Sequence, residues 1–144
     1  MKHFFAIFLS LFLFLEFTSC KETENNETKS TEGYTGKPKI EFYKTIHDFG
    51  TLKEGEIVEC VFKFKNTGTA PLKLIYVDAD CGCTTPEFNK DSVLPGKEGK
   101  IKAVFDSNGF RNNIYKTIDV ETNVDSTINE LVITAFIKSN FKLN

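Results

Sequence analysis

Cys20, Cys60, Cys81 and Cys83 are the residues with the most chemistry to offer, and their settings differ. Cys20 follows Lys2, an apolar run from Phe4 to Leu15 broken only by Ser10, and then Phe17-Thr18-Ser19. A run of this length fits the apolar segment of an export signal and falls short of the roughly 20 residues that span a bilayer. Thr18 and Ser19 leave room for a peptidase, although Phe17 stands where such signals usually carry Leu. A thiol in this place is the nucleophile that takes a diacylglyceryl group. Residues 1–19 are therefore expected to be a lipoprotein signal peptide and Cys20 the lipid attachment, held at a membrane by more than one acyl chain.

Removing Cys20 from the thiol pool leaves an odd number, which cannot pair completely. Cys60 alternates in phase with Phe62 and Phe64 and reads as a buried, apolar thiol. Cys81 and Cys83 stand apart in Asp80-Cys81-Gly82-Cys83-Thr84-Thr85-Pro86. In an oxidising compartment they can close a small-ring disulfide, pair with a partner's thiol, or stay reduced at a strand end. A strained pair is easily reduced, which suits a redox site. Two thiolates also suit soft Cu(I) better than zinc, which wants four ligands where the chain after Cys20 adds only His47, Asp78 and Asp80. Cys81 and Cys83 are the only metal candidates, and packing as small residues is the alternative.

Other constellations dissolve on inspection. Pro95-Gly96-Lys97-Glu98-Gly99-Lys100 lacks both the spacing and the hydroxyl of a phosphate loop, since Ile101 follows the lysine. Asp106-Ser107-Asn108-Gly109 places its glycine too early for a calcium loop and has no closing Glu. His47-Asp48 lacks an evident nucleophile and reads as local packing. Asp91-Ser92-Val93 and Asp125-Ser126-Thr127 resemble a three-residue O-glycosylation motif of one Gram-negative phylum. No catalytic residue, cofactor or small-molecule substrate is expected.

Around these residues the chain divides into three parts. With the signal gone, 125 of the 144 residues remain, one domain's worth. The formal net charge of −2 offers no basic surplus for phosphates, so nucleic acid is not an expected partner. Residues 20–37 are polar with no aliphatic side chain, and read as the lipidated Cys followed by a flexible tether. Its coil dimension is about 20–25 Å and its full reach about 55–60 Å. Glu22 and Glu24 loosely fit a surface-display signal of the same phylum; solvation is the simpler reading.

Residues 38–144 carry the fold. Ile40 and Phe42 open a first strand. Val58, Cys60, Phe62 and Phe64 then alternate with polar neighbours, and Asn66 to Pro71 form a turn. Leu72 to Val77 suit a third strand, and Ile101, Ala103 and Phe105 a later one. Asp106 to Gly109 turn the chain; Ile114, Ile118 and Val120 share one face, and Leu131, Ile133, Ala135 and Ile137 another. The expected fold is all-β, an Ig-like antiparallel β-sandwich of about seven strands.

The joint order His47-Asp48-Phe49-Gly50-Thr51-Leu52, Glu54-Gly55-Glu56, Phe62 to Gly68, Pro71-Leu72, Cys81-Gly82-Cys83-Thr84 and Leu94-Pro95-Gly96 resembles a bacterial family called domain of unknown function fifteen seventy-three. The resemblance covers about residues 40–138, with Cys-Gly-Cys-Thr as its signature; the turn at Gly109-Phe110-Arg111-Asn112-Asn113 departs from it somewhat. It implies a lipid-anchored or secreted domain, similar to Ig-like domains of the sperm-protein and pilus-chaperone type, with no established activity. The expectation is a membrane-anchored envelope lipoprotein of the outer membrane, on its periplasmic or surface face. It would act as a binding or scaffolding module for another envelope protein, with thiol-redox or copper binding at Cys81 and Cys83 as the alternative.

Overall fold

Alternation in the sequence becomes alternation in burial. The computed structural model describes residues 33–124 and 127–139, all within the compact unit Thr31–Asn144. Its strands are β1 (Ile40–Phe42), β2 (Ile46–Lys53), β3 (Ile57–Asn66), β4 (Leu74–Ala79), β5 (Thr84–Phe88), β6 (Glu98–Asp106), β7 (Asn112–Thr122) and β8 (Ile128–Lys138). They form two four-stranded sheets, A in the order β1-β3-β6-β5 and B in the order β2-β8-β7-β4. Every pairing is antiparallel except β2 with β8, which is parallel.

The core lies between the sheets. Cys60, Phe62 and Phe64 of β3 and Ile101, Ala103 and Phe105 of β6 point inward from sheet A. Leu52, Leu74, Val77, Ile114, Ile118, Val120, Leu131, Ile133, Ala135 and Ile137 meet them from sheet B. Each fully buried Leu, Ile or Phe contributes about 1.5–3 kcal/mol by leaving water. Gly99 lies opposite Phe64 in the β3–β6 register, and a Cβ there would run into the Phe64 ring. The glycine makes room for the aromatic side chain.

Two buried polar residues tie the ends of the sandwich. Asn66, fully buried, donates from Nδ2 to the carbonyls of Ala70 and Val93, both at 2.8 Å, and accepts at Oδ1 from the Gly68 N–H at 3.0 Å. The Ser107 hydroxyl lies 2.8 Å from the carbonyls of both Lys53 and Glu56. Loops that would otherwise leave carbonyls unpaired in the interior are thereby satisfied.

Eight strands stand where about seven were expected, because β2 and β5 were read as connections. Gly50, at a φ of +69°, sits in a bulge between Asp48 and Thr51 that breaks the two-residue period of β2. Pro86 interrupts β5, and proline argues against a strand unless the strand is an edge, as β5 is. The strand expected from Leu72 to Val77 runs from Leu74 to Ala79, while Leu72 makes an isolated bridge to Val93.

Candidate functional site

The Cys81-Gly82-Cys83 segment is the corner at which the chain leaves the edge of sheet B and enters the edge of sheet A. Backbone hydrogen bonds hold both sides of it. The Asp80 N–H donates to the Thr117 carbonyl at 3.1 Å, and the Asp106 N–H to the Cys83 carbonyl at 2.9 Å. Across the turn the Thr84 N–H donates to the Cys81 carbonyl at 3.2 Å. Asp80 also faces Lys116, its carboxylate 3.8 Å from Nζ, and the same ammonium lies 5.2 Å from the centre of the Phe110 ring.

Of the three states open to this cysteine pair, the structure has the intramolecular disulfide, with Cα atoms 5.2 Å apart. Both sulfurs sit near the buried Thr84 hydroxyl, at 4.0 and 3.8 Å. A bridge between residues this near in sequence removes little loop entropy from the unfolded chain, so its effect is local, fixing the corner. Thiolates for a soft metal would exist only after two-electron reduction.

The other residues singled out by sequence fall elsewhere. Cys60 is buried and free, with burial pushing its thiol up to about 11, which leaves it protonated and unreactive at neutral pH. His47 lies within β2, its ring edge-on to Phe49 with centroids 4.5 Å apart. Asp48 accepts from the Gly50 N–H at 2.9 Å, and as the next strand residue its side chain leaves the opposite face. The pair is thus kept apart. Ser92 is exposed in the β5–β6 loop, where Asn89 and Asp91 bond each other at 3.0 Å. Cys20, the signal, most of the tether and Asp125-Ser126 lie outside the described residues.

The sheet edges offer the broader chemistry, since an unpaired strand presents free N–H and C=O groups. Three of the four edges are blunted: β1 is only 3 residues long, β5 contains Pro86, and β2 is bulged at Gly50. Strand β4 is bulged only at its start, between Leu74 and Tyr76, keeps a continuous register with β7 from Tyr76 to Ala79, and exposes Ile75 (52%) and Tyr76 (50%). The Tyr76 hydroxyl donates to Asp78 at 2.6 Å, and this bond, ahead of a small burial effect and the nearby negative charge, raises its pKa. Grooves of about 880 and 510 Å³ open at the surface, the first lined by the β5–β6 loop, lysines of sheet A and the core side chains Phe64 and Leu74, the second beside Tyr115 and Phe136 on sheet B.

Of β4, only Asp78 stood out in the sequence, as a weak metal ligand. Ile75 and Tyr76 fell inside the strand expected from Leu72 to Val77, and with a bulge between Leu74 and Tyr76 both are exposed.

Residues 40–137 match the family described as Protein of unknown function (DUF1573). The chain belongs to this family. No curated protein sequence matches it. Among solved structures, a protein of unknown function from Porphyromonas gingivalis W83 superposes with a TM-score of 0.60 at 21% identity, over 69% of this chain and 46% of that one. This DUF1573 chain therefore spans about half the length of that protein. The ASH / PapD-like domain of human CEP192 gives a TM-score of 0.54 at 16% identity, over 71% of this chain and 87% of that domain. The Vibrio cholerae VesB protease gives 0.54 at 8% identity over 69% and 31%. At these identities the likeness is one of fold, and the PapD-like match fits an Ig-like sandwich.

Proposed function

We propose that this DUF1573 chain is a non-catalytic binding or scaffolding module, anchored through a lipid at Cys20 to a bacterial outer membrane, that recognises another envelope protein. The observation that carries the reading is β4, an edge strand free of proline with two large apolar side chains in solvent. An extended partner segment can add to such an edge, its backbone supplying affinity and its alternate side chains specificity. The anchor rests on the Lys2, Phe4–Leu15 and Cys20 pattern, and the tether gives the domain enough reach to meet partners beside the membrane.

A photo-crosslinking residue at position 76 of the full-length chain, in the cells that make it, tests both parts. Crosslinked adducts are expected in the membrane fraction, with far fewer from the same residue at Val61, exposed on sheet A. Cys20→Ser is expected to move the chain out of that fraction. Equal or absent crosslinking at the two positions would refute the edge-binding role, and an unchanged fractionation of Cys20→Ser would refute the anchor.

A further inference from the structure

The outer face of sheet B, beside the β4 edge, carries two side-chain rows fixed by register. In one, Glu130 of β8 lies opposite Asp119 of β7, which lies opposite Asp78 of β4. In the next, Ile128 lies opposite Glu121, which lies opposite Tyr76. All six side chains are exposed. Neighbouring strands are about 4.8 Å apart, so directly opposed carboxylates repel, and like charges in this arrangement destabilise a sheet.

No opposite charge among the described residues offsets the cost. Among the described residues the ion pairs join Lys102 to Glu59 and Glu87 and Lys116 to Asp80. None reaches Asp78, Asp119, Glu121 or Glu130. The Tyr76 hydroxyl answers one oxygen of Asp78 and leaves the charge in place. Nor do these carboxylates gather as a metal-ligand set: no group of three or more His, Cys, Asp or Glu among the described residues does.

We infer that this face takes a cationic, extended polypeptide segment of a partner protein, an inference that rests on edge binding at β4. A strand added to β4 continues both rows. The residue it places beside Asp78 completes a line of three carboxylates and is Lys or Arg. The one two positions away, on the same face, lies beside Tyr76 and is apolar or aromatic. This pairing turns the like-charge row from a cost into charge-assisted contacts, and it selects against acidic segments.

The test uses the full chain in detergent and two eight-residue peptides, one with Lys and Tyr two positions apart on one face, the other with Glu in place of Lys. The Lys peptide is expected to bind, shift the amide resonances of Tyr76 to Ala79 and of Asp119, and weaken with added salt. Asp119→Lys with Glu130→Lys is expected to weaken it at least about tenfold, near 1.4 kcal/mol, and to admit the Glu peptide. The milder Asp119→Asn with Glu130→Gln, which introduces no new charge, is expected to weaken the Lys peptide in the same direction.

Equal binding of both peptides at β4 would overturn the charge inference while leaving edge binding intact. Binding of neither, with crosslinking from position 76 preserved, would do the same. Failure of both peptides and of that crosslinking would bring down edge binding as well. Concentration-dependent shifts without peptide, at Tyr76 and at the exposed Lys63 and Lys100 that lie opposite each other on sheet A, would assign the face to a second copy of this chain and overturn the inference.

Discussion

At the scale of single residues, the cysteines divide by surroundings. Cys60 is sealed between the sheets, while Cys81 and Cys83 are joined at a half-exposed corner. A thiol reagent applied to the folded, unreduced domain from residue 33 onward should label none of them; reductant should expose two sites, Cys81 and Cys83, and denaturant a third. Mass spectrometry counts them. Labelling of Cys60 in the folded state would contradict its burial. The raised pKa of Cys60 also carries a sign. Folding favours its neutral form, so its effect is absent while both states are protonated and destabilises as pH rises from about 9, the unfolded value, toward about 11. Wild type should therefore lose stability against Cys60→Ala across that window in denaturant titrations.

At the scale of elements, the strands legible in the sequence are those whose side chains alternate without interruption. Cys60-Phe62-Phe64, Ile101-Ala103-Phe105 and Leu131-Ile133-Ala135-Ile137 each show a period of two, and each buries the face so marked. Strands β2 and β5 escaped because one glycine bulge and one proline mask the period, and both features protect edges. The corner chemistry of Cys81 and Cys83 was visible as a motif; its pairing state depended on backbone geometry. The acidic rows of sheet B were not legible, since Asp78, Asp119 and Glu130 come from three strands and meet only through register. Gly99 shows how tightly register is specified. Gly99→Ala should cost about 1–3 kcal/mol through overpacking against Phe64, read as a lower denaturant midpoint with an unchanged slope. A neutral result would mean that the ring has room to move.

At the scale of the whole molecule, the domain is a sandwich whose two sheets close one core and whose outer surface carries the remaining chemistry. Strand β1 is short, β5 carries a proline and β2 is bulged in its middle, whereas the bulge of β4 stands at its start and leaves Tyr76–Ala79 in register, and the edge-binding proposal rests on that difference. Membership of DUF1573 and the PapD-like match place the fold, and use of the β4 edge is the proposal built on it. Amide hydrogen exchange on the full-length chain, purified and again in native membranes, tests edge binding most directly. A tethered edge-binding module predicts slower exchange in membranes for Leu74–Ala79, with β1 and β5 unchanged. Identical exchange of β4 in both preparations, or protection confined to another edge, would contradict it.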